Sequence, residues 1–294
     1  MKQPRALAYG LGVDSTALIV GFAQRKIKLD AILFADVGDE RPETYAYYRV
    51  ISAFLKKHGF PPVSVVRYRP VKATYITLSE NCLQNGTLPS LAFGRKACSQ
   101  KFKVVPQNRW CNGWAPAVKA WDRGQKVVKF IGYDAGPKDA RRGHNLPDDA
   151  QYQYEYPLRE WGWDREKCME VIDAAGIRVP MKSACWNCPA TQPNELIWLA
   201  KNHPDIFAKA IAMEDSAKAR GGLHKIEGLW RTSTKKRPGS WRAFAEQHKL
   251  IPKVKHLKAV FGNPTEPEVL NNLPLFIETL KDNGDTAFCS EMHT

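Results

Sequence analysis

The sequence predicts an α/β protein: a parallel, twisted sheet with flanking helices, followed by a helical C-terminal region. Three observations carry this. Short apolar runs alternate with amphipathic segments over roughly the first 135 residues, which is the pattern of strands and crossover helices in a parallel sheet. A loop holding Gly10 and Gly12 joins the first apolar run to the first helical one. After Pro180 the strand-like runs stop, and helical stretches punctuated by proline and glycine take over.

The elements follow in order. Residues 6–8 form a short apolar strand, and Ser15 and Thr16 open a helix whose apolar part is 17–24. Residues 31–35 are all apolar, as a strand buried on both faces must be. Tyr47, Val50, Ile51, Phe54 and Leu55 recur at spacings of three and four, one apolar helix face. Lys56, Lys57 and His58 complement that helix's dipole, and Gly59 caps it. Residues 62–66 and 127–131 are the third and fourth strands. Residues 77–103, with Cys82, Gly86, Pro89, Gly94 and Cys98, read as loop with short helices. Helices over 194–202 and 204–220 divide at His203-Pro204, where proline opens the second. The expected organisation is an α/β domain over 1–190 and a helical, basic region over 191–294 with an acidic tail. There is no internal repeat and no low-complexity tract.

Lys and Arg outnumber Asp and Glu by 44 to 30, a formal charge of +14. Such an excess favours anionic partners. It is concentrated in residues 95–129, where Asp122 is the one acidic residue, and in 231–258, where Glu246 is. Trp110, Trp114, Trp121, Trp230 and Trp241 interleave these stretches, so each reads either as a solvated face or as a DNA- or RNA-binding surface. No apolar run is long enough to span a bilayer. Asp14 interrupts the only segment resembling a signal peptide. Seven cysteines, an odd number, argue against a disulfide framework and for a reducing, cytoplasmic compartment where thiols bind metal or react.

The loop Ala8-Tyr9-Gly10-Leu11-Gly12-Val13-Asp14-Ser15-Thr16 turns tightly into a helix N-terminus, whose free amides suit phosphate. No Gly-Lys-Ser/Thr follows, which excludes a Walker A loop; a glycine turn before an ordinary core helix is the alternative. Asp36 ends the second strand, where an acidic residue can accept a hydrogen bond from ribose, and Pro42-Glu43 suit a helix start. Cys185-Trp186-Asn187-Cys188 places two thiolates at a spacing suited to one metal or cluster.

Five segments appear in a shared order over residues 5 to about 190: the glycine loop; residues 34–44 ending Pro-Glu-Thr; Cys98 with Lys103 and Pro106; Gly132 followed by Asp139, Arg141 and Arg142; and Tyr156-Pro157-Leu158 with Trp161 and a helix over 164–175. This set resembles the phosphoadenosine phosphosulfate (PAPS) reductase-like family, part of the PP-loop adenine nucleotide alpha-hydrolase-like enzymes. The resemblance implies binding of ATP or another adenine nucleotide with Mg²⁺ through Tyr9, Gly10, Gly12, Asp14, Ser15, Thr16, Asp36 and Gly132, with Asp14 and Arg141 catalytic. Asp134 stands where the family commonly has arginine. Cys98 followed by the CxxC is similar to the [4Fe–4S] ligand layout of the family's iron–sulfur branch, which implies Cys98, Cys185 and Cys188 as ligands. A fourth ligand would come from Cys82, Cys111 or Cys168, or one iron would stay open; zinc, or a metal-free redox CxxC, are the alternatives. Cys289 and His293 resemble, thinly, the C-terminal Cys…His of sulfonucleotide reductases; a frayed terminus is the alternative.

Three functions follow as expectations. The first is ATP-dependent adenylation and sulfur transfer to a nucleic acid or small acceptor, with a cysteine desulfurase as sulfur source. The second is reduction of PAPS or adenosine phosphosulfate with thioredoxin or glutathione as reductant. The third is non-catalytic nucleotide or nucleic-acid binding with a structural metal.

Overall fold

The computed structural model describes residues 2–89, 97–137, 139, 149–224 and 226–251. Five strands, β1 (Arg5–Tyr9), β2 (Ala31–Asp36), β3 (Val63–Arg67), β4 (Val127–Ile131) and β5 (Tyr152–Glu155), form one sheet in the order β3-β2-β1-β4-β5. Every pairing is parallel. The helices are α1 (Val13–Gln24), α2 (Pro42–Lys57), α3 (Leu78–Asn85), α4 (Val105–Asn112), α5 (Ala115–Trp121), the one-turn α6 (Pro157–Glu160), α7 (Arg165–Ala174), α8 (Pro193–Asn202), α9 (Pro204–Ala219) and α10 (Trp241–Gln247). A π-helical segment, Ser99–Val104, runs into α4.

The central strands are apolar because helices cover both faces. Leu7 of β1 is in register with Ile32 on one side and Phe130 on the other. Successive side chains of a strand point to opposite faces. Ile32 and Phe34 accordingly join the core built with α1, α2 and α7, while Ala31 and Leu33 join Cys111 of α4 and Ala117 of α5 on the far side. All six residues of β2 are buried. Strand β5 was not anticipated. Its sequence, Tyr-Gln-Tyr-Glu, belongs to an edge strand and contains no apolar run.

A second core lies in the helical region. It gathers Val37, Leu78, Cys82, Phe102, Cys185 and Trp186 with Leu196, Phe207, Ile211, Trp230 and Trp241. Residues on both sides of position 190 thus build it, and the helical region packs directly against α3 and the β2–α2 turn. Trp230 and Trp241 are 4% and 0% exposed. They are core residues and cannot stack on bases, so the expected aromatic interleaving of the second basic stretch is corrected; its residues from 252 onward lie outside the described residues. Trp110, Trp114 and Trp121 are half-buried. Among the described residues, no helix is long and apolar enough to cross a membrane.

Candidate functional site

The β1–α1 loop occupies the place where the chain reverses direction across the sheet, between β1 and β4, outside the carboxyl ends of the strands. Open parallel sheets bind ligands at such crevices. Helix α1 begins at Val13, two residues before Ser15, and Gly12 caps it without a side-chain hydrogen bond. The first-turn amides of Val13, Asp14 and Ser15 therefore have no acceptor within the helix. The loop is braced from within: Ser15 Oγ accepts from the Gly10 amide at 3.2 Å and lies 3.3 Å from the Gly12 carbonyl. Leu11, buried, takes a left-handed φ of 54° to make the turn, a conformation strained for a branched side chain.

Two glycines leave room for close neighbours. A Cβ on Gly132 would stand 2.9 Å from both Cα and N of Ser15, so the end of β4 rests on the first turn of α1. A Cβ on Gly12 would stand 2.5 Å from Ser183 Oγ, which brings the segment before the CxxC against the glycine loop.

Not every expected nucleotide contact is free to make one. The Tyr9 hydroxyl and Thr16 Oγ1 bond each other at 3.0 Å inside the core, and Thr16 is fully buried. Asp36 is 1% exposed. Its carboxylate accepts from the Gly38 amide at 2.8 Å, Tyr45 Oη at 2.7 Å and Arg67 Nε at 2.9 Å. In this conformation Asp36 organises the β2–α2 turn and does not present a free acceptor. A cavity of about 150 Å³ opens beside it, lined by Ala8, Tyr9, Gly10, Phe34, Ala35, Lys103 and Gln107.

On the other side of the loop, Asp14, Asp134 and Asp139 bring one carboxylate oxygen each within 4.8 Å of one another. Arg165 Nη1 binds Asp14 at 2.9 Å. Burial pushes the Asp14 carboxyl above its ordinary value; Arg165 opposes this, and Asp134 and Asp139 add to it.

The CxxC segment runs antiparallel beside the β2–α2 turn. Cys185 bridges Glu40, the Arg41 amide donates to the Ala184 carbonyl at 3.1 Å, and the Trp186 amide donates to the Asp39 carbonyl at 2.9 Å. Cys185 is buried; Cys188, and Cys98 just before the π-helical segment, are half-buried and pack on the same apolar cluster. None of the three forms a disulfide among the described residues. Cys98, Cys185 and Cys188 thus share one apolar cluster, and among the described residues the set of three acids or thiols within 4.8 Å of one another is Asp14, Asp134 and Asp139. Glu40 Oε1 lies 3.8 Å from Cys185 Sγ and 3.0 Å from Lys103 Nζ. Burial pushes the Cys185 thiol well up, Glu40 adds to this, and Lys103 pulls it back.

Arg141 and Arg142 lie outside the described residues, as do Cys289 and His293. Lys103, Asp39 and Glu40 lie in motif segments, but sequence reasoning gives them no site role and does not single out Arg165. Their partners, Glu40 for Lys103, Asn187 for Asp39 and Asp14 for Arg165, come from distant parts of the chain.

Fold and site together define an open-sheet α/β protein with a glycine loop at its switch point and a group of thiols alongside. No family model matches the chain, and no curated protein matches it.

Proposed function

We propose that the chain is a PP-loop enzyme that binds an adenine nucleotide, adenylates an acceptor with ATP, and transfers sulfur handled at Cys98, Cys185 and Cys188. The observation that carries this reading is the position of Lys103. It lines the cavity beside Gly10, and its ammonium is raised in pKa chiefly by Glu40, with Cys185 and Cys98 contributing. Nucleotide cavity and thiols thus share one side chain.

The cavity volume of about 150 Å³ is below the ~300–1,000 Å³ of sites that enclose a whole drug-sized ligand. It suits one ring system, leaving the phosphates to the loop. There the amides of Val13, Asp14 and Ser15 stabilise pyrophosphate as it departs, where negative charge develops. Asp14, Asp134 and Asp139 offer hard oxygen donors and are the residues that would hold Mg²⁺.

Three thiols packed on one apolar cluster are soft donors of the kind an iron–sulfur centre takes, with zinc as the alternative. When bound, a cluster supplies electrons and sulfur-rich chemistry beside the nucleotide. Lys103 offsets the negative charge of its ligands, and Cys185 is shielded from water by the apolar cluster around it. The charge of +14 supports a nucleic-acid acceptor.

The test uses anaerobically purified protein: calorimetry with ATP, AMP and PAPS, then assay of AMP and pyrophosphate release with DNA or RNA present. ATP binding and AMP formation that Asp14→Asn abolishes support the reading. Failure to bind any adenine nucleotide would remove it. Sulfite release from PAPS that Cys289→Ser eliminates would establish a sulfonucleotide reductase in its place.

A further inference from the structure

We propose that Cys82 is the fourth thiol of the ligand set, completing Cys98, Cys185 and Cys188; the inference rests on the cluster reading above. Three other cysteines are described, and the fold separates them. Cys111 sits on α4 in the core with Val127 and Tyr152. Cys168 sits on α7 in the core with α1. Cys82 alone shares the core that holds the other three thiols.

The placement is built, not incidental. Ser79 and Cys82 are three apart on α3, so they occupy one face of that helix. Ser79 clamps Asp39 through its amide at 2.5 Å and its hydroxyl at 2.7 Å. The same carboxylate accepts from Asn187 Nδ2 at 3.2 Å, and Asn187 stands between Cys185 and Cys188. Asp39, 2% exposed, therefore ties the Cys82 face of α3 to the CxxC loop. A further backbone bond, from the Leu78 amide to the Val37 carbonyl at 3.0 Å, pins the start of α3 to the same turn. Iron held by Cys82 would displace the thiol proton to solvent, as for any thiolate ligand.

A Cys82 that only fills core space makes the opposite prediction: its removal leaves metal content unchanged. The full-length protein is purified anaerobically as wild type, Cys82→Ala, Cys82→Ser and, as a buried-cysteine control, Cys111→Ala. Iron, sulfide and zinc are measured, with electron paramagnetic resonance of the reduced protein and circular dichroism to check folding. Wild type and Cys111→Ala are expected to hold about four irons per chain. Cys82→Ala is expected to hold about three or fewer, and Cys82→Ser, which keeps the volume, to show a changed resonance signal. Four irons and an unaltered signal in folded Cys82→Ala would overturn the assignment and leave the cluster standing. Wild-type protein without iron and sulfide would instead overturn the cluster reading, and the assignment with it.

Discussion

Lys103 Nζ lies 3.0 Å from Glu40 Oε1, and this pair joins the cavity beside the glycine loop to the sulfur of Cys185. The Glu40 side chain is 2% exposed, the Lys103 side chain 40%. A carboxylate buried to that extent needs its cation, whereas the lysine retains access to water on one side.

Lys103→Ala is accordingly expected to act twice. It leaves Glu40 buried without a charge partner, which costs several kcal/mol in a sealed site; solvent at the lysine end reduces that to about 1–2 kcal/mol. It also removes a wall of the cavity, so ATP affinity is expected to fall about tenfold, or ~1.4 kcal/mol. Denaturant midpoints and calorimetry measure the two effects separately. An unchanged ATP affinity would place the nucleotide elsewhere.

Gly132→Ala and Gly12→Ala should differ. The added methyl at Gly132 meets the backbone of Ser15 at 2.9 Å, which cannot yield without moving α1. At Gly12 it meets the Ser183 hydroxyl, and a side chain can rotate away. Overpacking of the first kind costs about 1–3 kcal/mol, and Gly132→Ala is also expected to abolish nucleotide binding. Equal losses in the two variants would show that the β4–α1 approach is not what shapes the loop.

Lys129 provides a pH test away from Cys98, Cys185 and Cys188. It is 4% exposed in β4, and its ammonium donates to Asn108 Oδ1 at 2.8 Å. Burial lowers its pKa below the ordinary 10.5. Between the lowered native value and 10.5 the unfolded chain holds more protons than the folded one, so stability rises with pH across that window. Lys129→Met removes the contribution. Melting temperatures from pH 7 to 10 should therefore show the wild type gaining on the variant as pH climbs; parallel curves would rule this out.

Glu214 holds the helical region together. It is 2% exposed and accepts from the amides of Leu229 at 2.7 Å, Trp241 at 2.9 Å and Arg242 at 3.1 Å, and from the Ser240 hydroxyl. Two of those amides open α10, where a carboxylate also complements the helix dipole. Glu214→Ala leaves buried donors unpaired at about 1–3 kcal/mol each, so a loss of 3 kcal/mol or more is expected. Hydrogen exchange should quicken first at residues 227–247. Uniform quickening across the sheet as well would mean the two cores unfold as one.

Much of the scaffold was legible because it is encoded locally. The apolar run 31–35 announces a strand covered on both faces, and β2 is that strand. Proline after His203 divides two helices, and α8 and α9 meet there. Edge strand β5 escaped because it is only four residues long and carries no apolar run. Trp230 and Trp241 misled for the reverse reason: lysines and arginines beside them in sequence say nothing of the α9–α10 packing that buries them.

By itself the sequence determined the strand–helix alternation, the glycine turn into α1, and the presence of a CxxC, because backbone propensity and residue spacing act over a few residues. Only the tertiary structure decided that Asp36 is enclosed by Arg67 and Tyr45, that Lys103 faces Glu40, and that Cys82 shares an apolar core with Cys98, Cys185 and Cys188 while Cys111 and Cys168 lie in other cores. Those outcomes depend on which helix face meets which turn, a matter of packing and charge pairing between segments far apart in the chain.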